Sequence, residues 1–410
     1  MTRTSRGTLR RLSAVTVAGL ALAMAVTGPA LARPTPQVAG GWAQFQGNAA
    51  HTGSDPGETS VNRGNVGQLS VAWTAPLPNE ETFQGVAVSG GAVYTAEGNV
   101  VTAVDATTGT QLWQVTVPGQ VTDTPSVTGS LVVVGWNVLS GGTTFTGTIA
   151  ALDSATGAIV WQRQQAANER VNGAITTTAD RAYAMVGDPS NRQVEALGLR
   201  NGDQIWRSAA VPGCTESGPS VAGGLAVVGS GTDITALDTS TGAVVWQHGF
   251  GPDCSFTQDG YLPAISQGTV YDGTGAGVAA VSLATGTVQW ENTSYTEAVY
   301  AASVSGPNVI VSDDVETQLV ALSRADGSLQ WQSHFGRGNR GADIADTFGQ
   351  LAWTTTQPTR GIQLVALAPG TGRPLFKSRL YPDGGSPPVV QAGRVYATLG
   401  SELICLALPG

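Results

Sequence analysis

The stretch Ala103-Val104-Asp105-Ala106-Thr107-Thr108-Gly109-Thr110-Gln111-Leu112-Trp113 recurs, as Ala-x-Asp-x-x-Thr-Gly-x-x-x-Trp, about every forty-three residues down the chain. Further copies start at Ala151, Ala196, Ala236, Ala280, Ala321 and Ala366, and end at Trp161, Trp206, Trp246, Trp290, Trp331 and Phe376. An eighth copy begins at Cys405 and is cut off at Gly410. Self-similarity at such a period marks a repeat array, so the 410 residues read as one array in place of the two or three domains their length would suggest.

Upstream of each copy lie two short apolar or alternating runs, such as Thr124 to Thr128 and Leu131 to Trp136 ahead of Thr148 to Asp153 and Ile159 to Gln162. Each unit therefore predicts four strands. Within the phrase, Asp accepts backbone N–H groups across a turn and Gly takes positive φ, which makes it a hairpin between the third and fourth strands. Its Ala keeps the third strand flat, and its Trp supplies a large ring to wedge between neighbouring sheets. Sheets repeated radially form a propeller, and a ring that closes leaves only short, protected edges. The broken eighth copy lacks its outer strand, while Leu69-Ser70-Val71-Ala72-Trp73 is a strand ending in Trp with no partners of its own. Joining them predicts an all-β, eight-bladed propeller over 66–410, closed by the N-terminal strand.

The composition fits many short strands and tight turns: Gly is 55 of 410 residues and only 12% of residues are charged, against norms of roughly 7% and about 25%. Arg3, Arg6, Arg10 and Arg11 precede an apolar run from Leu12 to Val26 and the small residues of Ala30-Leu31-Ala32. This pattern predicts a secretory signal peptide over 1–32, cut after Ala32, and a protein outside the cytoplasm. Arg10-Arg11 also resembles a twin-arginine signal, although Ser13 and Ala14 follow it. No other stretch approaches a membrane span. Loss of the leader leaves sixteen basic against twenty-nine acidic side chains, a formal charge of −13. That acidity argues against nucleic acid and anionic membrane as partners, and a monomer is expected.

The phrase resembles the tryptophan-docking motif of the pyrroloquinoline-quinone (PQQ) repeat superfamily of eight-bladed propellers. Trp42-Ala43-Gln44-Phe45-Gln46-Gly47-Asn48, continuing to His51-Thr52-Gly53, is similar to the lead-in segment of such proteins and falls in an extended stretch over 33–65. The superfamily contains quinoprotein dehydrogenases and non-catalytic members, including a lipoprotein subunit of the outer-membrane β-barrel assembly machinery. Fold is shared while function is not. The resemblance to the dehydrogenases implies a quinone and calcium at the axis, an acidic base and, in many, a disulfide between adjacent Cys. No two Cys are adjacent here, and no Cys-x-x-Cys-His site occurs.

Cys214 and Cys254 each lie eight residues after a Trp of the phrase, at equivalent points on consecutive blades. Near the axis such points come within disulfide range, and an exported protein favours a bridge; two free thiols or a metal pair are the alternatives. Cys405 occupies the Ala position and is expected to be buried. His51, His248 and His334 fall in different units without ligand-like spacing, which points to structural or surface roles. No hydrolase elbow, zinc-protease helix or phosphate loop occurs. Gly273-Thr274-Gly275-Ala276-Gly277 reads as a hairpin turn, and Asp313, Asp314 and Glu316 as a solvated tip or, alternatively, a calcium-binding cluster. Aligning the innermost strands puts Gln84, Asp123, Asn172, Glu216, Asp259, Tyr261, Tyr300, Asp343 and Ser386 around one mouth of the axial channel. Loops from every blade converge there, which makes it the candidate ligand site. The functional expectation is a secreted non-catalytic module that binds a protein, a cell-wall component or a small ligand. The alternative is a small quinoprotein dehydrogenase using PQQ and Ca²⁺.

Overall fold

The computed structural model describes residues 41–55, 57–78, 85–213, 218–251, 262–274, 277–295, 302–313, 318–335, 344–347, 350–356, 361–382 and 384–409, all within one compact unit, Pro34–Gly410. The chain forms eight antiparallel sheets, seven of them read outward from the axis in sequence order. One short 3-10 helix, Val66–Gln68, is the helical element among the described residues. Blades 1 to 8 begin with the inner strands Ala87–Ser89, Ser126–Thr128, Arg170–Thr177, Ser220–Ala222, Ala264–Ser266, Ser303–Ser305, Ile344–Thr347 and Val389–Gln391. Blade 8 has only three strands from its own stretch. Its fourth is Ser70–Pro76, which pairs antiparallel with Glu402–Ala407, Trp73 opposite Cys405, and so closes the ring.

One row of residues crosses every blade. In blade 1 it runs Ala87, Tyr94, Ala103, Trp113, and in blade 8 Val389, Tyr396, Cys405, Trp73. Cys405 thus takes the place of the repeated Ala, wholly buried and unbridged. The register shifts next to the Ala–Trp pair in each outer ladder. Such a bulge re-aims a side chain, and here it accompanies an indole turned toward the next blade. Trp206 shows the result: its ring lies on Gly242 of blade 4, and its Nε1 donates to Thr239 O at 2.8 Å. The same N–H to carbonyl bond joins Trp73 to Ala106, Trp113 to Ser154, Trp161 to Leu199, Trp246 to Leu283, Trp290 to Arg324 and Trp331 to Pro369. Phe376 takes this position in blade 7, packed against the apolar cluster that includes Tyr396 and Cys405 of blade 8. At Gly242 the turn needs φ +72, and a Cβ would sit 2.5 Å from the indole, so Gly is required twice over.

A second set of ties works near the axis. Ser126 donates to Ile175 O, Thr176 to Pro219 O and Ser220 to Pro263 O, each hydroxyl reaching the next blade. The turn between the first two strands and the turn of the phrase lie at the same end of a blade, as Ala106 N donating to Gly91 O and Thr239 N donating to Gly224 O record. The other end is the mouth, where each inner strand begins.

Blades 2 and 3 are longer at that mouth. The middle strands of blade 2 run Leu131–Ser140 and Thr144–Asp153, past the limits at Trp136 and Thr148 that apolar alternation suggests. A neighbouring blade supports the extra length: Asn137 Nδ2 donates to Val171 O and its Oδ1 accepts from Val171 N, both at 2.9 Å. Gln120–Val121 adds a short fifth strand to this blade. Thr274 pairs with Gly277 across the hairpin expected there, and Asp313 with Gln318 across the acidic tip, whose residues 314–317 lie outside the described set.

Candidate functional site at the propeller axis

The two ends of the axis are built differently. At the end away from the mouth, Trp42 to Thr52 follows the blades in ring order. Trp42 N donates to Gln391 Oε1 of blade 8 at 3.3 Å, and Trp42 O accepts from Val88 N of blade 1 at 2.7 Å. The carbonyls of Ala43, Ala49, Ala50 and Thr52 accept from Val127, Val221, Ile265 and Val304 of blades 2, 4, 5 and 6. Gln44 serves blade 3, its amide exchanging two bonds with the Thr177 backbone. Inner strands converge only on the axis, so a segment of this length can bond seven of them only by occupying it. Trp42, Ala43, Gln44, Phe45, Gln46 and His51 are correspondingly buried.

His51 sits at the centre of this segment. Its Nε2 lies 2.9 Å from Thr176 Oγ1 and its Nδ1 2.9 Å from Ser220 Oγ, with Phe45 edge-on at 5.8 Å. Burial without a counter-charge pulls its pKa down to about 3. Because both hydroxyls already donate to proline carbonyls, an imidazolium would complete one more hydrogen bond. A neutral bond contributes only about 1 kcal/mol, whereas an unpaired buried charge costs several, so the ring is neutral at pH 7. The structural role expected for His51 is therefore specific: it ties two blades to the lead-in segment. His248 stacks beside Phe250 on an outer strand, and His334 ends the outer strand of blade 6.

At the mouth, the structure describes three of the expected residues. Asp123 Oδ1 accepts from Thr124 N at 2.5 Å, beside Thr122, whose hydroxyl reaches Gly173 O of blade 3 at 3.2 Å. Asn172 is buried opposite Met185. Ser386 is also buried; its Oγ accepts from Thr398 N at 3.0 Å and donates to Pro387 O, which uses its hydroxyl within blade 8. Gln84, Glu216, Asp259, Tyr261, Tyr300 and Asp343 lie outside the described residues, as do Cys214 and Cys254.

Above Asp123 the long hairpins of blades 2 and 3 make a raised, charged wall. The Arg170 guanidinium stacks 3.5 Å from the Phe145 ring centroid, and Arg207 grips Glu169 through two nitrogens at 2.8 and 3.1 Å. Beneath them the fully buried Glu195 holds Arg163 at 2.9 Å and Gln165 at 2.9 Å. Bidentate and buried pairs of this kind fix geometry more than they add stability. Sequence reasoning passed over Asp272, a buried acid between blades 4 and 5 near the mouth. Its carboxylate packs against Gly229, and burial pushes its pKa well up, opposed by the Gly273 amide. Its signal was available: it is an Asp inside an otherwise apolar second strand, Thr269–Thr274. Among the described residues no three His, Cys, Asp or Glu side chains converge to hold an ion, and no helix is long and apolar enough to cross a membrane.

Four-stranded blades stapled by indole on glycine and closed by an N-terminal strand define an eight-bladed PQQ-repeat propeller. Overlapping stretches 62–208, 145–318, 190–361 and 315–406 match the family described as outer membrane protein assembly factor BamB, and the chain belongs to that family. Over 199 residues it is 30% identical to the dehydrogenase subunit of a quinone alcohol dehydrogenase from Komagataeibacter europaeus, a match covering 46% of this chain and 22% of that one. The match therefore spans about a fifth of that relative's length. Among solved structures, BamB from Moraxella catarrhalis superimposes with a TM-score of 0.63 at 19% identity, over 83% of this chain and 99% of its own. The quinohemoprotein alcohol dehydrogenase from Comamonas testosteroni gives 0.70 at 15% identity, over 92% and 81%. At these identities what is shared is the fold.

Proposed function

We propose that this is an exported, non-catalytic binding propeller that takes a protein, cell-wall or small-molecule ligand at its axial mouth, its leader cut after Ala32. The observation that carries the reading is the occupied axis: with Trp42 to Thr52 filling one end, a ligand at the axis has the mouth as its approach. The Asp123 floor and the wall carrying Arg170 and Glu169 make that mouth asymmetric, which suits one oriented ligand better than eight equivalent ones. Assembly work like that named for the BamB relatives is one form this binding would take.

The quinone alcohol dehydrogenase relative favours a second reading, PQQ with calcium at the mouth. Calcium asks for six to eight oxygen ligands. The described residues of the mouth offer Asp123, one of whose oxygens already serves Thr124 N; they do not by themselves make that donor set, and the proposal carries no metal-dependent step. Purified protein mixed with PQQ and Ca²⁺ and then desalted is expected to retain no quinone absorbance and to oxidise no alcohol. Stoichiometric retention with turnover would replace the binding reading by the enzymatic one.

A further inference from the structure

Within Trp42 to Gly53 the only ionisable side chain is His51. Among the described residues the groups facing its ring are Thr176 from blade 3, Ser220 from blade 4 and Phe45 from its own segment, none of them charged. On its own element the nearest carboxylates are Asp55 and Glu58. Asp55 caps Gly57 N, and Glu58 holds the amides of Ser60, Val61 and Gly393. Arg170 shares the Thr176 strand but lies at its mouth end, stacked on Phe145. The described parts of the inner strands of blades 4 and 5 carry no ionisable group. Two non-glycine residues of the segment, Gln46 and His51, both have φ +49. Such backbone persists only where surrounding bonds hold it.

We propose that residues 42–53 are an acid-released plug: proton uptake by His51 frees the segment from the inner strands and opens the axis at the end opposite the mouth. A neutral ring donates through one nitrogen only, so with both hydroxyls donating to proline carbonyls it completes a bond to one of them and its other nitrogen receives no proton. An imidazolium would complete both bonds, with Thr176 keeping Pro219 O and Ser220 keeping Pro263 O. That gain is a single neutral hydrogen bond, and against it stands a buried cation with no carboxylate against its ring among the described residues. Hydration outweighs it, and the cation leaves with its segment, relaxing the backbone at Gln46 and His51. The plug is cheaper to release than any blade, because the strand ladders of the eight sheets do not depend on it.

A ring whose pKa is about 3 when buried and roughly 6.5 when free weakens the plug nearly tenfold for each pH unit below about 6.5. The weakening reaches about 10²-fold near pH 4.5. Amide exchange on the full chain, corrected for intrinsic rates, reads this directly. The amides of Val88, Val127, Val221, Ile265 and Val304, which donate to the segment, are expected to lose about 10²-fold of protection between about pH 7 and about pH 4.5. Amides of the second strands keep theirs. His51→Gln, neutral throughout, abolishes the pH dependence. Uniform loss across the sheets, no loss, or an unchanged slope in His51→Gln overturns the proposal. Should that variant fail to fold, the ring resonances of the unaltered protein decide. A midpoint far below the free value with plug opening supports it, and a midpoint near the free value with a closed plug refutes it.

Discussion

Replacing Gly242 by Ala tests the staple between blades against a control in the same blade. Gly242 has φ +72, and an added Cβ would lie 2.5 Å from Cε3 and 2.8 Å from Cδ2 of Trp206. Gly224 has φ +81 with nothing within 4 Å of the new Cβ. Both substitutions force an L-residue into the left-handed region, at about 1–2 kcal/mol. Gly242→Ala must also move a ring that is largely buried and bonded to Thr239 O at 2.8 Å. Losing that bond and part of the ring's packing adds about 2 kcal/mol. Gly224→Ala is therefore expected to cost about 1–2 kcal/mol and Gly242→Ala about 3–4 kcal/mol. Urea unfolding at neutral pH measures both. Combining Gly242→Ala with Trp206→Ala removes the clash, so the glycine substitution should then cost no more than its control, a coupling of about 2 kcal/mol. Equal costs for the two glycines, or a coupling near zero, would refute the argument that the ring and not the turn demands glycine.

Two further outcomes are expected. Deleting residues 66–76 removes the outer strand of blade 8 and its pairing with Glu402–Ala407; a large drop in thermal midpoint is expected, and unchanged melting would sink the closure. Asp272, whose folded pKa is raised by burial, contributes stability below its unfolded pKa of about 3.9 that is lost as pH rises through the folded value. Asp272→Asn should therefore be more stable than the parent near pH 8 and show a flatter pH profile above about pH 4; a urea midpoint that falls in parallel with the parent's contradicts the assignment.

What could be read from the sequence follows from which contacts repeat. Ala, Gly and Trp recur because each phrase meets an identical neighbour, so blade number, strand order and the exchange at blade 8 were all legible. The axial plug was not. Thr176 and Ser220 stand 125 and 169 residues from His51, and a lone His carries no spacing to betray such partners. The long strands of blade 2 outrun their apolar alternation for a similar reason. Asn137 to Gly147 is held by Val171, Glu169 and Asn168 at the entry to blade 3, and not by apolar alternation of its own. Strand alignment alone puts Ser386 at the mouth. The alignment located its backbone, but whether a hydroxyl faces a ligand or Thr398 N depends on the pairing of its own blade.

The division of labour along the axis explains how one repeat tolerates many functions. Blades are tied at two radii: by indole on glycine at the rim, and by hydroxyl to carbonyl near the centre. The rim ties sit at the plug end with the phrase turns, and both sets are made by strand positions or phrase turns whose geometry the repeat controls. Neither set uses Asp123, Arg170, Glu169 or the hairpin tips of blades 2 and 3. Those tips can lengthen because the strands simply continue past the last tie, with groups entering the adjacent blade satisfying the added backbone, as Glu169 O does for Gly147 N and Asn168 N for Phe145 O. Asp123→Asn, which keeps an oxygen for Thr124 N, should accordingly change what the mouth holds and leave the unfolding midpoint almost unmoved. Substituting Thr176 or Ser220 should loosen both the plug and the joints between blades 3, 4 and 5, because each hydroxyl bonds His51 and the next blade at once.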